Sequence, residues 1–195
     1  MQSTAASPLS SFLVLIGSAL VVFAIWWFAM HNKFARLRNH IRESWSNVDV
    51  ALKRRYDLIP NLVDTVRAYA AHERQTLEGV VEARNRALAA VGPIAEQAHE
   101  ENELVHSVNR LLAVAEGYPN LKASQNFLTL QAELINTEDR IAAARRFYNA
   151  NVREFNTLRE SFPSSVVAGA MNLPPAEFFE VDSLSFRAAP EVNLA

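Results

Sequence analysis

The apolar positions follow two regimes. From Phe12 to Met30 the chain reads FLVLIGSALVVFAIWWFAM, nineteen residues without a charge. As a helix this run is about 28 Å long, close to a hydrocarbon core of about 30 Å. Beyond it, apolar residues return every three or four positions, at Ile41, Trp45, Val48, Leu52, Ile59, Leu62, Val66, Tyr69, Val80 and Ala87. That is the period of helices with one buried face, and no stretch alternates as a strand does. The pattern predicts a membrane span followed by an all-α body.

A core helix would not be apolar on every side. A cleaved signal peptide needs a basic n-region and a small-residue cleavage site, and the Phe28-Ala29-Met30 end is a poor one. The span is therefore expected to persist as an anchor. No Lys or Arg precedes it, whereas Lys33, Arg36, Arg38 and Arg42 follow closely. The positive-inside rule then puts residues 1–11 outside and the body in the cytoplasm, at an inner or plasma membrane. Trp26, Trp27, Lys33 and Arg36 are the expected contacts of the anchor with the bilayer interface.

In the body, Pro60 interrupts the apolar run without an accompanying Gly, and the seven-residue phase Leu52, Ile59, Val66 continues through it. A kinked continuous helix from Asn32 to Ala90 is expected in preference to a hairpin at Pro60. Gly92-Pro93 ends it. Further helices are predicted over Ile94 to Glu116, closed by Gly117 and Pro119, over Ser124 to Ser161, and over Ser165 to Met171. A turn led by Pro174-Pro175 runs through Phe179, and residues 181–195 read as a loose tail. Short connections make the long helices antiparallel, so residues 31–180 are expected to form a rod-like, coiled-coil-like four-helix bundle.

Composition narrows the chemistry. The absence of Cys removes thiol catalysis, thiolate metal sites and disulfides together, and a net charge of -2 gives no electrostatic footprint for nucleic acid. No Gly-rich phosphate loop or nucleophile-elbow pattern occurs. Glu96-x-x-His99 and Glu103-x-x-His106 have the spacing of carboxylate-bridged metal bundles, but both sit on one helix where such sites need two. That segment reads as a solvated face. The expectation is a protein with no catalytic residue, no cofactor and no metal.

Four charges stand where the periodicity calls for apolar groups: Arg55, Glu73, Glu138 and Arg145. Buried charges need partners. Arg55 and Glu73 lie about 27 Å apart along a helix, whereas Glu138 and Arg145 lie about 10 Å apart, so the two cross-helix pairs cannot both form. At least one charge must turn to Arg84, Asn149, Asn156 or His72, or to water. Pinning of helix register is the simplest role for such groups. A charged pocket is the competing one.

With these residues in view the chain resembles the LemA family of bacterial proteins. The resemblance rests on Arg55-x-Asp57-Leu58-Ile59-Pro60-Asn61-Leu62-Val63, Tyr69-Ala70-x-His72-Glu73, Ala83-Arg84, Tyr118-Pro119-x-Leu121-Lys122-Ala123, Glu138-x-x-Ile141-Ala142-x-Ala144-Arg145-x-x-Tyr148-Asn149, Asn156 and Phe162-Pro163. It implies an N-terminal membrane helix with a helical-bundle body, no established activity, cofactor or substrate, and no assigned site. The motif residues Arg55, Asn61, Glu73, Arg84, Glu138, Arg145, Asn149 and Asn156 are the candidate polar cluster. The functional expectation is a non-enzymatic scaffold or adaptor in the bilayer that docks a membrane or cytoplasmic protein or a second copy of itself, with Phe178 and Phe179 as an exposed face. The alternative is an enzyme, or a ligand or lipid sensor, that uses the Arg/Glu cluster or the basic juxtamembrane segment.

Overall fold

The computed structural model describes residues 8–182 and 184. Residues 1–7 of the expected outer segment and 185–195 of the expected tail lie outside the described residues. The described chain is all-α: α1 (Pro8–Arg67), α2 (Arg74–Ala89), α3 (Ile94–Glu116), the single turn α4 (Pro119–Lys122), α5 (Gln125–Glu160) and α6 (Ser164–Ala170). The apolar run opens α1, with a mean hydropathy of 2.4 in its best window and none of that window buried in the fold. A core helix of a soluble domain would be mostly covered, so this segment is long, apolar and bare enough to cross a bilayer.

One helix carries both the span and the body's first element. α1 has 60 residues, about 90 Å at 1.5 Å per residue. α5 runs antiparallel along its lower part, as the pairs Phe34 with Phe155, His40 with Asn151, Trp45 with Tyr148 and Arg55 with Glu138 record. α2 and α3 form a second antiparallel pair against the upper part of α1. The main core joins Val48, Leu52, Ile59, Leu62 and Val66 of α1 to Leu77, Val80, Ala83 and Ala87 of α2, Leu104, Val108 and Leu111 of α3, and Leu134, Ile141 and Tyr148 of α5. A smaller layer at the membrane end joins Phe34, Leu37, Phe155, Val167, Ala168 and Leu173, with Trp26, Trp27 and Met30 packed on it. The two tryptophans are thus partly covered by the body itself.

The expected unbroken helix to Ala90 is corrected. Pro60 is passed without a break, but the chain turns ten residues later, between Arg67 and Arg74. The apolar phase from Val66 through Glu73 to Val80 masks this turn, because Val66 and Val80 are both buried, on different helices. Glu73 takes no place on an apolar face; it is half-buried at the N-terminal boundary of α2. What reverses the chain is the short stripe Leu77, Val80, Ala83, Ala87, whose small residues let α2 lie close along its neighbours.

Passage through Pro60 leaves a debt that the hairpin settles. Proline has no N–H, so the carbonyl of Tyr56, four residues back, loses its helical donor. Arg84, from α2, donates through Nε to this oxygen at 2.7 Å. The Ala83-Arg84 motif thus answers the Pro60 motif across the hairpin.

After α6 the chain rises as an extended strap along α5 rather than closing in a turn at Phe179. Asn172 makes the bend in the left-handed region with φ 49°, a conformation Asn tolerates better than most residues. Asn156 then donates to the carbonyl of Ala176 and accepts its N–H, both at 2.9 Å. Asn149 does the same for Phe179 at 3.0 and 2.9 Å. Seven helical residues advance about 10 Å, and three extended residues advance about the same, so the two amides meet the strap in step. Phe179 is fully buried with its ring edge-on to Trp45 at 5.1 Å, and Val181 and Leu184 are buried too. Two expectations are corrected here: Phe179 is core instead of an exposed docking residue, and the packed body extends past residue 180.

The Pro60 account is tested by a double-mutant cycle on the full-length protein in detergent micelles, read by urea unfolding. Arg84→Met is expected to cost about 1–2 kcal/mol beside Pro60. Beside Pro60→Ala, whose N–H reaches the Tyr56 carbonyl, the cost is expected to fall by at least half. Equal costs in both backgrounds would refute the coupling.

Candidate functional site

The sequence groups eight polar residues into one cluster. The structure divides six of them among three kinds of work and leaves Asn61 and Glu73 outside.

Arg55 is the centre of the first. It projects from α1 into the core and is fully buried. Nη1 donates to Glu138 of α5 at 3.0 Å, and Nη2 donates to Glu101 of α3. Tyr56 donates its hydroxyl to the other Glu101 oxygen. One guanidinium therefore ties three helices together, while Arg55 Nε remains without a hydrogen-bond partner among the described residues. The Arg55–Glu138 pair forms and the Glu73–Arg145 pair does not, in keeping with the spacing argument. Two carboxylates face one guanidinium, so the buried charges do not cancel. Burial pushes the Glu138 carboxyl above its ordinary range, and the repulsion of Glu101 adds to this, while Arg55 pulls it back. Burial and the Glu101 carboxylate raise the Tyr56 phenol as well.

Glu101 is the member that the sequence reading missed, since it lies in the segment assigned to solvent. Its signal was present: Ile94, Ala98, Glu101, Val105 and Val108 keep alternating steps of four and three, the stripe of a buried face. The side chains of Arg55 and Glu101 are 1% and 2% exposed and Glu138 11%. The network is thus packed shut, and substrate would have no way to its guanidinium.

The second kind of work is repair of the backbone, by Arg84, Asn149 and Asn156 as described. Tyr148 assists by donating to the Glu177 carbonyl at 2.9 Å, and burial pushes its phenol up to about 12. Asn61 is exposed, and its carbonyl accepts from Thr65. Its side chain belongs to neither set.

The third is an open groove of about 690 Å³ between α5 and the strap, lined by Asn102, Arg145, Arg146, Asn149, Arg153 and Glu180, among others. Asn102 holds its far wall, accepting the N–H of Asp182 at 2.7 Å. Arg145 is half-buried here, and Arg146 and Arg153 are exposed. None of the three arginines makes an ion pair or hydrogen bond to another described residue. On the anchor side, Lys33 is half-buried and Arg36 exposed, one turn beyond the end of the span. Of the Glu-x-x-His spacings, His99 is exposed, and His106 is exposed 4.0 Å from Asp182.

The ion network makes two expectations for unfolding of the full-length protein in micelles. Glu101→Ala strands Arg55 and Tyr56 and is expected to cost about 3–5 kcal/mol. For Glu138 the folded carboxyl lies above its ordinary 4.5. The folded state then binds the proton more tightly, so the group's contribution is full below that value and is lost as pH rises through the folded one. The stability of the native protein minus that of Glu138→Gln should accordingly fall as pH rises above 4.5. A difference that grows with pH would mean that Arg55 outweighs burial.

The LemA family model matches residues 44–194, well over half of the chain. The chain is 23% identical over 198 residues to magnetosome protein MamQ 2 of Paramagnetospirillum magneticum, covering 89% of this chain and 73% of that one. It is 22% identical over 197 residues to magnetosome protein MamQ of Magnetospirillum gryphiswaldense, covering 88% and 72%. Protein LemA of Metamycoplasma hominis is 26% identical over 164 residues, covering 84% and 74%. The matched region takes in the buried ion network, the Pro60–Arg84 repair and the asparagine-held strap: the chain belongs to the LemA family.

Proposed function

We propose that this protein is a non-enzymatic, single-pass membrane scaffold that holds a rigid helical body against the cytoplasmic face of an inner or plasma membrane and docks an acidic protein partner there. The observation that carries this reading is the continuity of α1. Span and body share one helix, and Phe34 and Leu37 are already core residues within two turns of Met30. No linker separates anchor from body, so whatever docks on the body is held at a fixed height and direction. Membership of the family and the kinship with MamQ and LemA proteins fit a membrane-associated role.

The groove supplies the docking chemistry. Three guanidinium groups that form no ion pair with a described carboxylate, against Glu180 and Asp182 on the strap wall, suit the side chains of an acidic segment, since arginine binds carboxylates through paired donors. The closed ion network argues against the rival reading of a catalytic Arg/Glu pocket. The basic residues Lys33, Arg36, Arg38 and Arg42 after the span support an N-terminus-out orientation.

The test is in-cell photo-crosslinking of the full-length protein at native abundance, with the photoreactive residue placed at Ala150 in the groove. A reproducible heterologous partner is expected, lost on the double reversal Arg146→Glu with Arg153→Glu. Both positions are exposed, so this variant should unfold within about 0.5 kcal/mol of the native protein at each site. Self-crosslinks alone, or a partner indifferent to the reversal, would overturn the docking face.

A further inference from the structure

The corner between α5 and α6 carries a feature that neither the ion network nor the groove uses. Phe162 is 85% exposed and Val166 54%. A bare phenylalanine at the end of a long helix calls for an explanation, and its height supplies one. Along the antiparallel pair, Trp45 faces Tyr148, His40 faces Asn151 and Phe34 faces Phe155. Continued at the same helical rise, this register brings the end of α5 level with Met30, where the apolar run of α1 ends. Phe162 lies one step further towards the span, and Trp26 and Trp27 of the span pack on the same layer as Val167 and Ala168 of α6.

Two further properties of the corner agree. From Ser161 to Ala176 there is no charged side chain. Part of its backbone is also satisfied from within: the hydroxyl of buried Ser164 lies 2.7 and 2.9 Å from the carbonyls of Leu158 and Ser161. Ser161 N–H meets Thr157 O, Ser165 N–H meets Ser161 O, and Val166 N–H meets Pro163 O. Each internal partner lowers the cost of bringing a helix end into an environment poor in water. Lys33 and Arg36, about 5 and 9 Å beyond Met30 by helical rise, stand near the height of lipid headgroups.

We propose that the α5–α6 corner is a second membrane contact, with Phe162 and Val166 immersed among the lipids of the leaflet beside α1. The inference rests on the anchoring reading of α1 given above. The body then stands on two feet, the span and the corner, and its rotation about the α1 axis is fixed with respect to the bilayer plane.

The chain has no cysteine, so single labels can be placed without background. The full-length protein is reconstituted at one copy per nanodisc in mixed phosphatidylcholine and phosphatidylglycerol. Nitroxide labels are carried by Phe162→Cys, Val166→Cys, Val21→Cys in the span and Phe178→Cys on the strap. Collision rates with oxygen, which enters lipid, and with a nickel chelate, which stays in water, are compared. Labels at 162 and 166 are expected to show an oxygen-to-nickel ratio several-fold above that at 178 and of the same kind as that at 21. A ratio at 162 and 166 equal to that at 178, with 21 immersed, overturns the corner contact alone. Exposure of the label at 21 to nickel overturns the span and the contact with it. Because each disc holds one copy, shielding at 162 by a second copy gives the strap-like ratio and also counts against the proposal.

Discussion

A guanidinium in the middle of a helical bundle cannot be left without carboxylates, and Arg55 stands in the middle of this one. Its partners come from α3 and α5, so each of these helices has one height at which the charge is met. The apolar stripes alone would not fix this. A stripe of Leu, Val and Ala repeats itself after every turn or two, and sliding one helix by a turn, about 5.4 Å, exchanges one apolar contact for another. The same slide takes a carboxylate away from Arg55. A stranded buried charge is penalised by several kcal/mol, more than a displaced apolar pair. The network therefore contributes less to the depth of the native state than to its uniqueness. The tight pairing of Tyr56 with Glu101 extends the same constraint, because it fixes the rotation of α3 as well as its height.

Arg84, Asn149 and Asn156 serve carbonyls and amides that ordinary secondary structure would have left bare. Pro60 keeps α1 straight in register while denying Tyr56 its donor, and Arg84 replaces that donor from the neighbouring helix. The strap has no sheet to pair with, and Asn149 and Asn156 stand in for a second strand, each amide offering one donor and one acceptor as a peptide would. An extended segment held this way can bury Phe179 and Leu184 without stranding its backbone. These are structural roles with strict chemistry: aspartate in place of either asparagine would lose the donor, and lysine in place of Arg84 would lose the planar Nε.

How much of this could be read from the chain follows from the range of each interaction. α3, α5 and α6 were legible nearly to the residue, because hydrophobic period and Gly, Pro and Ser punctuation are local signals. The reversal between Arg67 and Arg74 was not, since it carries no Gly or Pro and the seven-residue phase happens to continue across it. That Arg55 would meet Glu138 and that Glu73 would stay apart from Arg145 was half legible: spacing forbade both pairs but could not choose. Glu101 was obscured by the acidic and histidine residues around it, although its place in the stripe marked it. The strap was illegible for a plainer reason. Phe179 is buried by a pairing with Asn149 from 30 residues away, and an extended segment held by side chains leaves no periodic trace.

The continuity of α1 sets what the body can do. Membrane proteins that must let a domain swing place Gly, Pro or a polar linker after the span. Here the residues from His31 to Trp45 contain none of these breakers, and Phe34, Leu37 and Trp45 are already engaged with α5, α6 or the strap. Tilting the body therefore requires tilting the span, at the cost of moving apolar surface out of lipid or basic residues into it. The height of the groove is fixed by the same register. Arg153 lies near the level of Arg38 and Arg145 near that of Val48, which places the groove about 10–27 Å above the end of the span by helical rise. With the body on the cytoplasmic side, as proposed, a partner in this groove would work within a protein diameter of the bilayer, whose negative surface would favour the same arginines. On the proposed docking role an acidic segment would compete with lipid headgroups for the groove, and it would gain most where it is itself tethered to the membrane and its effective concentration is high.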